Sequence, residues 1–305
     1  MAGERAFTAA LRSFFPGRGD LDVGIGDDAA VVRARAGKLA MCCDPVVEGV
    51  HFDAAAPAEL IGRKAVNRNL SDLAAMGAGA DWLLVSVVMP AAMPVARLRG
   101  VLRGVRAAAS AAGAAVVGGD VACGPGPLTV TVSATGRAPR RPLRRDALQV
   151  GDTLHVTGTL GGSIAGHHLR FRPHLAEGAW LADQPAVRAA MDVSDGLVLD
   201  LQTMLNASGE LGAELDAAAL PVRAAARRME PGRPERALRR ALYDGEDHCL
   251  LFAVRRGGRL GPGGPLTARA RAPIGRVVRA GGITLIERTA RSSLPVRGFE
   301  HEVTG

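Results

Sequence analysis

Four stretches of this chain run into aspartate: GIGDD at 24–28, LAMCCD at 39–44, VVGGD at 116–120 and AAMDVSDG at 189–196. The apolar parts are short and end at glycine, aspartate or serine, so they predict buried strands that stop at tight turns. An unpartnered buried carboxylate is expensive. Strand ends in α/β proteins are also where ligands bind, so this pattern constrains fold and chemistry together.

One further acid stands in a helix. In AVNRNLSDLAAMGA at 65–78, Val66, Leu70, Leu73 and Met76 recur at helical spacing, which predicts one buried face. Asn67, Asn69, Ser71 and Asp72 interrupt that pattern with short polar groups that are poor helix formers.

Around these motifs, helical and strand patterns alternate. A short amphipathic helix is expected at Glu4–Phe15 and strands near Ala29–Arg33 and Lys38–Cys43. Pro57 to Met76 is expected to be mainly helical, DWLLVSVVMP a strand closed by Pro90, and Pro94 the start of a helix to about Gly113. PLTVTVSATG alternates as a strand, and the Pro- and Arg-rich 139–146 reads as a linker. Beyond it, GDTLHVTG and HCLLFAV read as strands, AAMDVSDGLVLDLQTML as strand, turn and helix, and RRGGRLGPGGPLTARARAP as a flexible loop. The fold class expected is α/β to α+β in two domains, 1–146 and 147–305.

Composition excludes several classes. At 305 residues and 48% hydrophobic the chain can bury a sizeable core, and no uncharged apolar run approaches the length of a membrane span. The N-terminus has no pattern of a signal peptide, so a cytoplasmic protein with no membrane partner is expected. The four cysteines form no C-x-x-C pair, which argues for reduced thiols. The formal charge of +8 rests on arginine, with lysine only at Lys38 and Lys64. That is a bias of the whole composition, and without interleaved aromatics to stack bases it does not suggest nucleic acid.

Taken singly, each aspartate reads as an N-cap or turn residue. Together, Asp28, Asp44, Asp72, Asp120, Asp192 and Asp195 read as a set of hard oxygen donors suited to Mg²⁺, whose shell is completed by substrate phosphates. No G-x-x-x-x-G-K-[ST] loop is present to cradle phosphates. The residues alone therefore point to a metal-dependent enzyme acting on a phosphorylated substrate.

The motifs GIGDDAAVV, CDPVVEGVHF, AVNRNLSDLAAMGA, VVGGDV, GDTLHVTGTLGG, MDVSDGLVLDL, DGEDHCLLF and GFEH occur in that order along the chain. In this the chain resembles the thiamine-monophosphate kinase family, within the superfamily typified by aminoimidazole ribonucleotide synthetase. The resemblance implies a two-domain synthetase-like fold. Its N-terminal α/β domain would bind ATP and Mg²⁺ and dimerise through its sheet, and its C-terminal α+β domain would complete the active site. It implies ATP-dependent phosphorylation of thiamine monophosphate, several Mg²⁺ ions and a homodimer. By position, it implies metal ligation by Asp28, Asp44, Asp72, Asp120, Asp192 and Asp195, with Cys42 and Cys43 beside them. It implies ATP contacts from Gly119, Asp120, Arg145 and Ser194. Contacts to the acceptor fall to His51, Glu246 and Val296.

The chain departs from the family pattern at several places. Cys42 and Cys43 stand where Ser or Thr is usual, and thiols are poor Mg²⁺ ligands, which leaves backbone carbonyls for that role. Val121-Ala122-Cys123 replaces Thr-Thr-Arg, Asp244 replaces a glycine, His248 a tyrosine and Val296 an aromatic, and His174 interrupts a proline-arginine pattern. Two other readings stay open on the sequence: a related enzyme with another acceptor, and a non-catalytic paralogue that binds nucleotide.

Overall fold

A computed structural model of the chain describes residues 10–15, 17–25, 29–33, 36–279 and 281–300. The chain divides into two compact units, Met1–Leu73 with Gly79–Ala138, and Ala74–Ala78 with Pro139–Gly305. Half of the helix expected at Glu4–Phe15 lies outside the described residues, and residues 10–14 are helical. Among those residues no helix is long and apolar enough to cross a membrane.

The first unit is built on a four-stranded sheet in the order β3-β6-β4-β5, from β3 (Leu39–Val47), β4 (Trp82–Pro90), β5 (Ala115–Gly124) and β6 (Thr129–Arg137). β6 pairs antiparallel with both β3 and β4, while β4 and β5 run parallel and are joined by helix α2 (Val95–Ala111). A separate ribbon pairs β1 (Leu21–Val23) with β2 (Val31–Val32). Alternation dictates the faces: Leu83, Val85, Val87 and Met89 of β4 are buried, as are Val130, Val132 and Ala134 of β6. The opposite face leaves Leu39, Leu84 and Val88 exposed, with Met41 at 75%.

Helix α1 (Ala58–Ala75) matches the helix expected from the periodicity, except that it ends before Met76, which is exposed and not part of the buried face. It is buried on more sides than that pattern implied, because Asn67, Asn69 and Ser71 are buried as well as Ile61, Leu70 and Leu73. It crosses α2 at two glycines. A Cβ on Gly62 would lie 1.9 Å from the carbonyl oxygen of Val101, and one on Gly104 would lie 1.9 Å from that of Glu59. Glycine is costly in a helix interior, and here it permits backbone-to-backbone approach.

Two acids expected at strand ends lie inside strands. β3 continues through Asp44 to Val47, since proline's fixed φ suits an extended strand at a sheet edge and Pro45 stays in register with Thr131. β5 continues through Asp120 to Gly124, because an irregularity between Leu83 and Leu84 of β4 lets the parallel pairing resume beyond Gly118.

The second unit carries seven described strands in the order β13-β12-β9-β11-β7-β10-β8. These are β7 (Thr153–Val156), β8 (Val187–Asp192), β9 (Gly212–Asp216), β10 (Leu250–Val254), β11 (Gly275–Val278), β12 (Gly282–Glu287) and β13 (Ala290–Leu294). Only the β9–β12 pair is parallel. Helices α3 (Leu175–Ala182), α4 (Leu197–Ala207), α5 (Ala224–Met229) and α6 (Pro234–Tyr243) complete it, and Leu201, Leu205, Leu215, Leu251 and Ile274 sit in its main core. The 139–146 stretch is anchored in this unit by buried Leu143, whose amide donates to the Met76 carbonyl at 3.1 Å. The Arg-rich loop expected at 255–273 is also tied down. Leu266 and Ala270 are buried, Thr267 caps a single helical turn, and the Arg271 guanidinium stacks over Trp180 at 5.1 Å.

The helix crossing yields a direct expectation. Gly104→Ala forces the added methyl onto the Glu59 carbonyl and should destabilise the protein by about 1–3 kcal/mol, the usual cost of overpacking. A lower urea midpoint with an unchanged slope would report it, and an unchanged midpoint would show that the crossing relaxes freely.

Candidate functional site

In the first unit the acids of β3 and α1 are brought together by one amide. Asn69 of α1 accepts the Asp44 N–H on Oδ1 at 3.0 Å, and its Nδ2 donates to the Asp44 carbonyl at 3.4 Å and to the Ala65 carbonyl at 3.0 Å. A side-chain amide thus takes the place of a neighbouring strand at Asp44. The Asp44 carboxylate is left to face Arg68, 3.8 Å away.

Cys42 reads out the electrostatics of this corner. Its Sγ donates to the Asn69 carbonyl at 3.3 Å, and burial, then the charges of Asp72 and Asp44, push its acidity far out of the physiological range. Cys42 is therefore a neutral thiol and offers Mg²⁺ no thiolate. Cys43 is exposed, and its sulfur accepts from the Ser133 hydroxyl at 3.2 Å. Asp120 lies exposed in β5 beside Gly119, where a Cβ would fall 1.9 Å from the Val85 carbonyl oxygen, so only glycine fits. His51 is buried in the turn after β3. Asp28 lies outside the described residues.

In the second unit two loops are laced together. The Val193–Gly196 loop joins β8 to α4. The amide of Glu246 donates to the Ser194 carbonyl at 2.6 Å, that of His248 to the Val193 carbonyl at 2.7 Å, and that of Val193 to the Cys249 carbonyl at 2.8 Å. Glu246 (φ 61°) and His248 (φ 48°) are held in the left-handed region, which non-glycine residues rarely occupy. The carboxylates of Asp247, between them, and of Asp244, just before, fix a third segment. Asp247 accepts from the Gly161 amide at 2.8 Å and pairs with Arg223 at 2.5 Å, and Asp244 accepts from the Gly162 amide at 2.8 Å. Burial pushes Asp247 up to about 6 despite Arg223.

Asp192 is buried at the end of β8, and Asp195 follows on the loop. The Asp195 amide donates to Asp200 Oδ2 at 3.0 Å. Burial first, and then the negative charges of Asp195 and Asp192, push Asp200 up to about 8. Asp200 was not among the acids singled out from the sequence, where it reads as one more polar residue in VLDLQTML. The buried position at the first turn of α4 is what marks it. The GF of GFEH lies across the same loop: Phe299 donates to the Asp195 carbonyl at 3.0 Å, and a Cβ on Gly298 would fall 2.4 Å from that oxygen. Val296 is exposed, as is Arg145, whose carbonyl accepts from the Ser208 hydroxyl at 3.4 Å.

Among the described residues no group of three or more His, Cys, Asp or Glu side chains could hold a metal ion. The donors in each unit are nevertheless of the right kind for Mg²⁺. They are aspartate oxygens, and in the second unit burial first, with the neighbouring charges of Asp195 and Asp192 adding to it, raises Asp200, a cost that a bound cation would offset. Mg²⁺ takes one or two carboxylates and completes its shell with water and phosphate oxygens, which such a set permits.

Residues 26–138 match the family described as AIR synthase related protein, N-terminal domain. The chain is similar to the thiamine-monophosphate kinase of Rhodopirellula baltica, 38% identical over 260 residues that cover 82% of each chain. Among solved structures it is similar to the thiamine-monophosphate kinase from Stenotrophomonas maltophilia K279a, with a TM-score of 0.78 and 31% identity over 90% of this chain and 93% of that one. It is similar also to AaThiL complexed with AMPPCP and TMP, with a TM-score of 0.76 and 26% identity over 98% of this chain and 97% of that one.

The Asn69 amide can be tested by itself. Asn69→Leu keeps the bulk but leaves the Asp44 N–H and carbonyl without their partner, so stability should fall by about 1–3 kcal/mol. Asn69→Asp retains the acceptor for the Asp44 N–H and loses the donor, and should also be less stable than the wild type. Equal unfolding midpoints for all three proteins would remove the amide from this role.

Proposed function

The chain belongs to the thiamine-monophosphate kinase family, and on that premise we propose that it transfers the γ-phosphoryl group of ATP to thiamine monophosphate, yielding thiamine diphosphate and ADP. The observation that carries this reading is the Asp44–Asp72 corner, where the buried Asn69 amide holds the Asp44 backbone and both acids act, after burial, to raise the Cys42 thiol. AaThiL complexed with AMPPCP and TMP adds to it, because that relative holds an ATP analogue and TMP.

An oxygen of the acceptor phosphate forms the new bond to the γ-phosphorus as the bond to the β,γ-bridging oxygen breaks. No protein nucleophile is required, and catalysis is positioning plus charge neutralisation. Mg²⁺ supplies that neutralisation when bound. In this reading Asp28, Asp44, Asp72, Asp120, Asp192 and Asp195 hold the ions, with Cys42 and Cys43 contributing backbone carbonyls only. Gly119, Asp120, Arg145 and Ser194 meet ATP, and His51, Glu246 and Val296 meet the acceptor. In this reading the first domain supplies most of the nucleotide and metal contacts. The protein works in the cytoplasm at the last step of thiamine diphosphate synthesis, as a homodimer that covers the exposed Leu39, Met41, Leu84 and Val88.

Purified protein incubated with Mg-ATP and thiamine monophosphate should form thiamine diphosphate, identified by mass. ATP turnover without that product would point to another acceptor, and no turnover to a binding protein. Asp72→Asn keeps size but loses charge, and should lower kcat by about a hundredfold or more with the fold intact. Cys43→Ser should retain activity. Complete loss of turnover in a folded Cys43→Ser protein would make the sulfur a ligand.

A further inference from the structure

Lysine is scarce in this chain, at two of 38 basic residues, yet Lys64 in α1 is fully buried at 0% exposure. A lysine is seldom buried completely unless its ammonium group is held by partners. Here Nζ donates to the backbone carbonyl of His51. An ammonium on a slender stem delivers a point charge through packed helix surface, where the planar fork of arginine needs a wider slot.

His51 closes a turn bonded on several sides. Its amide donates to the Val47 carbonyl at 2.8 Å, the Gly49 amide to the Phe52 carbonyl at 2.8 Å, and the Glu48 amide to the Leu128 carbonyl at 2.9 Å. Gly49 takes φ 84°, which suits glycine. The Val47 N–H, in turn, donates to His51 Nδ1 at 3.0 Å. A ring nitrogen that accepts carries no proton, so the imidazole is neutral and its proton sits on Nε2.

We propose that Lys64 is a positioning residue: by gripping the His51 carbonyl it fixes the turn in which Val47 selects the Nε2–H tautomer, so that His51 presents a hydrogen-bond donor to an oxygen of the acceptor monophosphate. This rests on the reading of His51 as an acceptor contact. Lys64 itself touches no reactant. Its removal therefore acts on the acceptor side alone and leaves the ATP side as it was.

The test uses the full-length protein with Lys64→Met, whose side chain has similar length and no donor, and two readouts. Steady-state kinetics should show KM for thiamine monophosphate raised by about tenfold, the worth of one lost hydrogen bond at the ligand, with KM for ATP unchanged. Nitrogen NMR of ligand-free protein should show the acceptor-type Nδ1 and protonated Nε2 signals of His51 in the wild type, replaced by a tautomer mixture in the variant. Lys64→Gln, with a shorter neutral donor, is the second variant should Met fail to fold, with the same two expectations. His51→Ala separates the two readings. If it raises KM for thiamine monophosphate while Lys64→Met changes neither KM nor the spectrum, the role of Lys64 is overturned. If His51→Ala leaves that KM unchanged, the acceptor reading of His51 fails and this proposal with it, while the kinase reading stands or falls by product identity.

Discussion

The pairing of the Asn69 amide with the backbone of Asp44 is the interaction on which the first unit's chemistry depends. An edge strand has open N–H and carbonyl groups that water or another strand would otherwise satisfy. Here a helix covers them with a side chain, and the same contact ties the backbone of Asp44 to the helix that carries Asp72. The helix can come close because α1 and α2 cross at Gly62 and Gly104 without side chains between them. Backbone contact, amide pairing and acid placement are thus successive consequences of one helix lying deep in its unit.

Much of the fold was legible in the residues. Periodicity fixed the span of α1, alternation marked β4 and β6, and Pro90 and Pro94 bounded the strand and helix on either side of them. The ends of β3 and β5 were not legible, because aspartate after an apolar run reads as a stop. What continues each strand is tertiary: the Thr131 partner at Pro45 and the resumed β4 pairing beyond Gly118. The candidate acids could be picked out by their neighbours in sequence. Asn69, Lys64 and Asp200 could not, since each depends on a partner brought in by folding: Asp44, His51 and Asp195.

Of the departures from the family pattern, Asp244 and Cys42 are absorbed by internal bonds, whereas His248 is held by packing, with both ring nitrogens left without a hydrogen bond among the described residues. Asp244 receives the Gly162 amide and pairs with Arg240 at 3.5 Å. His248 is stacked on Phe171 with ring centroids 4.1 Å apart and lies 3.6 Å from Asp192. Cys42 is engaged by the Asn69 carbonyl. Such changes alter local packing without adding a charge that must be met by a ligand. Nothing in the structure explains Val121-Ala122-Cys123.

Because α1 is buried on nearly every side, apolar core residues and polar residues engaged with the rest of the first unit alternate within single turns: Leu70 beside Asn69, Leu73 beside Asp72, Lys64 beside Ala65. An amphipathic surface helix offers evolution a solvent face on which to drift. This one offers almost none. Selection on catalysis and selection on folding fall on the same dozen and a half positions, so the helix can change only through substitutions acceptable to both.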